Sequence, residues 1–122
     1  MRNGGKWTES RFNSFIKSSL RTASVRWGPR YTCLANAFRL VQTNQKTGRM
    51  AKHFECAKCR CLFPQKEIEI NHINPVVPVE GFDSWDKVIE RMFCEIEGLE
   101  ALCRPCHKLI TAEENVLRKK FK

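Results

Sequence analysis

The sequence predicts an α+β protein in which a small core of strands and helices follows a basic, helical N-terminal extension. Three observations support this fold class: two Cys-x-x-Cys pairs in the second half of the chain, alternating apolar residues between them, and helical periodicity near the N-terminus. At 122 residues the chain has the length of one domain. A core of this size is thin, and a bound metal is a common supplement to it.

Positive charge is concentrated in the first half of the chain. Residues 1–54 contain eleven Lys and Arg against one acid, or +10, and residues 55–122 contain eleven against twelve, or −1, which together give the net charge of +9. A basic segment joined to a balanced one favours a nucleic-acid-binding arm beside a separate core, although a solvated surface could have the same composition. We therefore predict two domains, an extension at 1–52 and a core at 53–122.

Two helices are predicted in the extension. Thr8 is a suitable N-cap for a helix that continues to about Arg21, because apolar residues then recur on one helical face. A Gly-Pro pair interrupts this pattern, and a second helix is expected from about Tyr31 to Val41. Residues 42–52 are polar and basic, which predicts a linker. The basic side chains predicted to contact nucleic acid are Arg11, Lys17, Arg21, Arg26, Arg30, Lys46, Arg49 and Lys52.

In the core, strands and helices are predicted to alternate. Glu67–His72 alternates polar and apolar residues, as a half-buried strand does, and Gly98–Leu102 is a second short strand. Ser84 can cap a helix from Trp85 to about Phe93, and the last helix is expected from Arg104 to about Lys120. The apolar residues expected to face inward on this last helix are Leu109, Ile110 and Leu117.

Two cysteine pairs, Cys56/Cys59 and Cys103/Cys106, supply the four thiolates of a closed, tetrahedral structural zinc site. Each pair can bring its two sulfurs to one ion at Zn–S distances of about 2.3 Å. Disulfides are not favoured, because seven cysteines are an odd number and the N-terminus lacks the apolar stretch of a secretory signal. Cys61, two residues beyond Cys59, is a rival ligand. The remaining cysteines, Cys33 and Cys94, are predicted to be buried thiols.

The core sequence resembles the HNH nucleases whose fold is held by zinc knuckles. The residues that carry the resemblance are Ile-Asn-His-Ile-Asn-Pro at 70–75 and Leu-Glu-Ala-Leu-Cys-Arg-Pro-Cys-His at 99–107, and the match extends over about 54–111. The resemblance implies a ββα-metal core, in which two strands and a helix hold one divalent ion against a phosphodiester. Lys6–Phe12 also resembles the corresponding segment of small phage-encoded HNH proteins.

The resemblance implies roles for three residues. His72, at the end of its strand, matches the general base that activates water, and an unperturbed His pKa of about 6.5 suits that role near neutrality. His107 matches the ligand of a catalytic Mg²⁺ or Mn²⁺ ion. Asn71 stands where the family usually has an aspartate ligand, and its amide oxygen can coordinate a hard cation without adding negative charge. Alternatively, His72 is a hydrogen-bonded core residue and His107 a structural group beside the zinc.

Two further positions depart from the family's pattern. Gly98 occupies the place of the middle Asn, which orients the base, so that role passes to a backbone carbonyl, to another side chain, or to nothing. Ile110 stands where the family often has a lysine, and Glu113 or Glu114 could complete the metal shell.

Together these features predict a metal-dependent endonuclease that hydrolyses phosphodiester bonds in double-stranded DNA and acts as a monomer or homodimer. The alternative is a catalytically weak or inactive zinc-stabilised DNA-binding module, part of a phage DNA-processing or packaging complex. The sequence contains no apolar run of membrane-spanning length. We therefore expect no membrane partner and a cytoplasmic location, in the host cell if the protein is phage-encoded.

Overall fold

Four α-helices and five strands give an α+β fold along residues 2–121, the part of the chain that the computed structural model describes. Short 3₁₀ turns at Gln65–Glu67 and Ile96–Gly98 precede the fourth and fifth strands. In chain order the elements are α1 (Glu9–Ser24), α2 (Gly28–Ala37), β1 (Phe38–Thr43), β2 (Met50–Glu55), β3 (Leu62–Pro64), β4 (Ile68–His72), α3 (Trp85–Met92), β5 (Leu99–Cys103) and α4 (Arg104–Lys119).

The two N-terminal helices confirm one predicted boundary and correct another. The Thr8 hydroxyl accepts a hydrogen bond from the Arg11 amide at 3.1 Å, so Thr8 is the N-cap of α1, as predicted. The second helix starts at Gly28 rather than Tyr31, because Pro29 fits the first turn of a helix, where its missing N–H is not needed. It ends at Ala37 rather than Val41, and the residues that follow enter a strand.

The predicted linker at 42–52 is wrong, because these residues belong to an antiparallel hairpin of β1 and β2. Its turn is closed by a hydrogen bond from the Asn44 amide to the Arg49 carbonyl at 2.7 Å, and Gly48 adopts a φ of 73°, where glycine is favoured. The segment 1–52 is therefore not wholly helical, and the predicted boundary falls inside β2. Polarity misled the prediction, since an exposed hairpin has the same composition as a linker.

The strands form two separate antiparallel sheets, with the order β1-β2-β3 in one and β4-β5 in the other. In the β4–β5 pair, His72 lies opposite Leu99, and one more hydrogen bond, from the Ile73 amide to the Gly98 carbonyl, extends the pair. The long β4–β5 connection contains α3, whose N-cap is Ser84, as predicted. The chain then passes from β5 directly into α4.

Two apolar clusters hold these elements together. The larger one, around Phe54 and Leu102, joins α2 to the β2 and β5 strands. The smaller one, around Val88 and Met92, packs α3 against Leu20 of α1. Trp27 links the two helical regions, because its indole N–H donates to the Cys94 carbonyl at 2.6 Å. The N-terminal helices are thereby fixed to the second half of the chain.

The last helix meets the core through a narrower face than predicted. Ile110 packs against the larger cluster, as expected, whereas Leu109 and Leu117 are exposed. Cys106, one turn before Ile110, contributes to the same cluster. Within residues 2–121, each helix is too short or too polar to cross a membrane.

Candidate metal centre and active-site cleft

The four cysteines of the two Cys-x-x-Cys pairs form one cluster. Their sulfur atoms all lie within 4.8 Å of one another, and the Cys59 and Cys103 sulfurs are 3.9 Å apart. Cys56 and Cys103 are buried, Cys106 is half-buried and Cys59 is exposed. In residues 2–121 this is the only group of three or more His, Cys, Asp or Glu side chains close enough to hold an ion. Four thiols at these separations fit a tetrahedral metal such as zinc.

Backbone hydrogen bonds shape the first pair into a knuckle. The Cys56 amide donates to the Cys61 carbonyl and the Arg60 amide donates to the Cys56 carbonyl, both at 3.0 Å. Arg60 turns the chain with a φ of 62°. The Lys58 amide points at the Cys56 sulfur, 3.4 Å away, and a donor of this kind stabilises a thiolate. The second pair needs no such loop, because it spans the β5–α4 junction.

The titration of these thiols is consistent with a site built for a cation. Burial opposes ionisation of Cys56, but backbone hydrogen bonds from Cys103, Cys59 and Lys58 outweigh it and lower its pKa to about 6. The neighbouring Cys103 thiol, and then burial, raise the pKa of Cys106 to about 12. Binding of a divalent metal ion would displace the protons that these four closely spaced thiols hold.

The other three cysteines lie outside the cluster. Cys61, the rival ligand, is exposed, and its thiol faces the Cys59 carbonyl at 3.7 Å. Cys33 is buried, as predicted, and burial raises the pKa of its thiol. Cys94 is only half-buried, against the prediction.

A second site is a cleft of about 460 Å³, formed where the ends of α1 and α2 approach β4 and α4. It brings together His72, Asn71 and His107, the residues singled out by the sequence. Arg118, which the sequence analysis missed, donates to the Val77 and Pro78 carbonyls and ties the loop after β4 to α4. The remaining side chains and backbone that line the cleft are Arg21, Ser24, Val25, Arg30, Ile70, Pro75, Val76, Thr111 and Glu114.

His72 is half-buried at the end of β4, with its Nε2 atom 2.9 Å from the Met92 carbonyl oxygen. That carbonyl is free because Met92 is the last residue of α3, and the last carbonyls of a helix have no partner within it. A carbonyl can only accept, so Nε2 carries the proton and Nδ1 has the lone pair in neutral His72. Burial lowers the pKa of His72 below 6.5 and the charges of Arg30 and Arg21 lower it further, whereas the Met92 carbonyl opposes them.

His107 lies in the first turn of α4 and is held by a carboxylate that the sequence analysis did not single out. Its Nδ1 atom is 2.5 Å from Glu69 Oε2, and the Nε atom of Arg104 is 3.6 Å from the other Glu69 oxygen. His107 is not part of the cysteine cluster. Strand alternation could have revealed Glu69, because it lies two residues before Asn71 and on the same face of β4.

Asn71 and Gly98 are two of the three positions that depart from the HNH pattern. The Asn71 side-chain amide donates to Glu100 Oε1 at 3.2 Å, across the β4–β5 pair. A Cβ atom added to Gly98 would lie 2.8 Å from the Cys94 sulfur, so a larger side chain at this position would require Cys94 to shift. The contact that orients His72 therefore comes from the Met92 carbonyl.

The predicted nucleic-acid contacts fall into three groups. Arg21 and Arg30 line the cleft beside His72, and neither guanidinium has an ion-pair partner within residues 2–121. The side chains on the hairpin are Lys46, which pairs with Glu67 at 3.2 Å, and Arg49 and Lys52, which are exposed. The three that lie elsewhere on and after α1 are Arg11, stacked over the Trp7 ring at 4.7 Å, half-buried Lys17 and exposed Arg26.

Comparisons of the chain with models of protein families, with curated proteins and with solved structures find no match. The likeness to HNH nucleases consequently rests on the residues at 70–75 and 99–107.

Proposed function

We propose that this protein is a metal-dependent DNA endonuclease of the HNH type, with β4, β5 and α4 as its ββα-metal core. The observation that carries the proposal is that one cleft contains His72, Asn71 and His107 together with Arg21 and Arg30, which have no ion-pair partner within residues 2–121. Phosphodiester hydrolysis requires a general base, ligands for a metal ion and positive charge near the phosphate, and the cleft contains side chains of all three kinds. The cysteine cluster, filled by zinc, is assigned a structural role.

The chain's own residues can carry the hydrolysis as follows. Neutral His72 takes a proton from water through Nδ1 while its Nε2–H remains on the Met92 carbonyl. The water oxygen forms a bond to phosphorus as the bond from phosphorus to the 3′ oxygen breaks, and the departing oxygen takes a proton from solvent. His107 Nε2 and Asn71 Oδ1 would hold Mg²⁺ or Mn²⁺, which when bound offsets charge on the phosphate and the leaving oxygen.

The arginines of the cleft suit a polyanionic substrate. Arg30 is half-buried in the first turn of α2, and Arg21 lies near the end of α1. Contacts from such groups to phosphate oxygens provide affinity and position without reading base sequence. Double-stranded DNA is the proposed substrate, and the exposed cations of the hairpin would extend the contact beyond the cleft.

One observation favours a second candidate, a zinc-stabilised DNA-binding module with little or no activity. Among residues 2–121, no group of three His, Cys, Asp or Glu side chains other than the four cysteines could hold an ion. An ion in the cleft would therefore have at most two ligands of these types, and neither of the proposed ligands, His107 and Asn71, is charged. This candidate keeps the zinc site and the basic surface of the proposed enzyme.

Cleavage of supercoiled plasmid DNA with Mg²⁺ or Mn²⁺ tests the proposal. We expect the wild type to nick or cut the plasmid, and His72→Ala to lose at least about 10²-fold in rate, because general-base catalysis contributes about 10²- to 10⁴-fold. Lys87→Ala is the matched control, since this exposed side chain on α3 lies outside the cleft and is not one of the predicted nucleic-acid contacts. Zinc content and the unfolding transition should be unchanged in both variants.

Two results would contradict the enzyme. Equal cutting by the wild type and His72→Ala would exclude His72 as the base. Retention of DNA in a gel shift without cleavage, across Mg²⁺, Mn²⁺ and Zn²⁺, would favour the binding module.

A further inference from the structure

Each proposed ligand of the cleft ion donates a hydrogen bond to a carboxylate on the β4–β5 pair. His107 Nδ1 meets Glu69 at 2.5 Å, and the Asn71 Nδ2 group donates to Glu100 at 3.2 Å. Glu69 and Glu100 do not line the cleft, whereas His107 and Asn71 do. The two carboxylates thus lie behind the two ligands as seen from the cleft.

The contact with Glu69 determines which nitrogen of His107 can bind an ion. An ionised carboxylate can only accept hydrogen bonds, so Nδ1 must be the protonated nitrogen of the neutral ring. The lone pair is then on Nε2, the atom left for coordination. Arg104 Nε is 3.6 Å from the other Glu69 oxygen, beyond hydrogen-bonding distance and largely exposed, so the contact that fixes Glu69 is the one with His107.

Glu100 acts on Asn71 in the same way. Because the amide N–H group is bound to Glu100, the amide oxygen Oδ1 is the atom free to face the cleft. The pairing is local and geometrically constrained, since Asn71 and Glu100 are directly opposite each other in the β4–β5 register.

We propose that Glu69 and Glu100 are positioning residues that orient His107 and Asn71 toward a divalent ion in the cleft. This inference rests on the proposed function and deepens it. The two carboxylates also bring negative charge close to a site whose own ligands are neutral, which replaces part of the charge that an aspartate at position 71 would supply. Partners of this kind behind metal ligands typically change metal affinity by about 10- to 100-fold.

Binding of Mn²⁺ to the zinc-loaded protein without DNA, followed by the electron paramagnetic resonance of free Mn²⁺, tests the inference. We expect Glu69→Ala and Glu100→Ala each to weaken binding by about 10- to 100-fold. Glu69→Gln and Glu100→Gln should give intermediate losses, because their amide oxygens still accept a hydrogen bond but carry no charge. Arg104→Ala is the matched control: it removes the other contact of Glu69 and should leave Mn²⁺ affinity within about twofold.

A second readout does not depend on metal or activity. In the protein without Mn²⁺, the ¹⁵N resonances of His107 should show the Nδ1–H tautomer in the wild type and in Arg104→Ala. They should show a mixture of tautomers in Glu69→Ala. A wild-type ring that is already a mixture would overturn the role of Glu69.

The outcomes separate this inference from the proposed function. Unchanged Mn²⁺ affinity in the Ala and Gln variants, with a wild type that cuts DNA, would overturn the positioning role alone. Weakened Mn²⁺ affinity in the variants of a wild type that cuts no DNA would support the positioning role and contradict the nuclease. A wild type that binds no Mn²⁺ would overturn both.

Discussion

Gly98 shows how one residue can disfavour the side chain that the HNH pattern would place beside His72. A Cβ at this position would meet the Cys94 sulfur at 2.8 Å and the Cys94 Cβ at 3.2 Å, so the middle Asn of the HNH pattern could not be accommodated without a shift. The Gly98 carbonyl accepts from the Ile73 amide at 2.9 Å, directly after His72, and the ring of His72 is held by the Met92 carbonyl. Main-chain contacts at the strand end therefore stand where the HNH pattern has a side-chain contact.

We expect Gly98→Ala to lower the free energy of unfolding by about 1–3 kcal/mol, the usual cost of overpacking. The cost should shrink when Cys94→Ala removes the sulfur that the new Cβ would meet. Denaturant unfolding of the two single variants and the double variant measures this coupling. The same cost of Gly98→Ala in both backgrounds would show that the clash with the Cys94 sulfur is not the cause.

At the scale of single residues, the sequence indicated candidate site residues but not the atoms that hold them in place. His72, Asn71 and His107 were predicted from the resemblance to HNH nucleases, and all three line one cleft. The partner of His72 is a main-chain carbonyl, and any residue type at position 92 would supply one. No residue pattern can encode such a contact, so it became visible only in three dimensions.

Among the elements, the β1–β2 hairpin differs most from its prediction. It contains four basic side chains and no acid between Phe38 and Phe54. Two of them are engaged, Arg39 with Glu55 at 3.4 Å and Lys46 with Glu67 at 3.2 Å. Arg49 and Lys52 are exposed and without an ion pair in residues 2–121. A two-stranded ribbon of this kind can enter the major groove of DNA.

If the hairpin contacts DNA, the free cations should contribute more than the paired one. We expect Arg49→Gln and Lys52→Gln to weaken binding and together to reduce the slope of log K against log salt by about 1.8, since each lost phosphate contact accounts for about 0.9. Lys46→Gln should have a smaller effect, because this lysine already has a carboxylate partner. Fluorescence anisotropy with duplex DNA at several salt concentrations measures these slopes. Equal slopes for wild type and double variant would remove the hairpin from the interface.

For α4, the periodicity of apolar residues predicted the helix but not the face that lines the cleft. His107, Thr111, Glu114 and Arg118 follow one helical face, and this face lines the cleft. Arg118 is not revealed by the apolar residues of this helix, on which its prediction was based. Helical spacing from His107 could have found it, whereas the exposure of Leu109 and Leu117 depends on how the helix meets the core.

At the scale of the whole molecule, the cysteine cluster joins two distant parts of the chain. It connects the knuckle after β2 to the junction of β5 and α4, and the Ala57 amide donates to the Ala101 carbonyl at 2.8 Å beside it. Structural zinc binding is worth about 10–16 kcal/mol in small zinc domains, which is comparable to the 5–15 kcal/mol stability of a whole domain. Zinc bound here would therefore be a condition of folding.

We expect strong chelation, or Cys103→Ser, to abolish zinc binding and the cooperative unfolding transition. Cys61→Ser is the matched control, because this exposed thiol lies outside the cluster. It should keep about one zinc per chain and the wild-type midpoint. Metal analysis and circular dichroism of the three samples test the assignment. A native-like Cys103→Ser protein without zinc would argue against a structural ion.

The sequence by itself determined the α+β class, the four-cysteine cluster and most element boundaries, because caps, cysteine spacing and alternating apolar residues are local properties. Only the tertiary structure decided that residues 42–52 form a hairpin, that Met92 holds His72, and that Glu69 and Glu100 support His107 and Asn71. These features join residues that are distant in the chain or use backbone atoms. The packing of α1 and α2 against the second half of the chain brings Arg21 and Arg30 beside His72, Asn71 and His107.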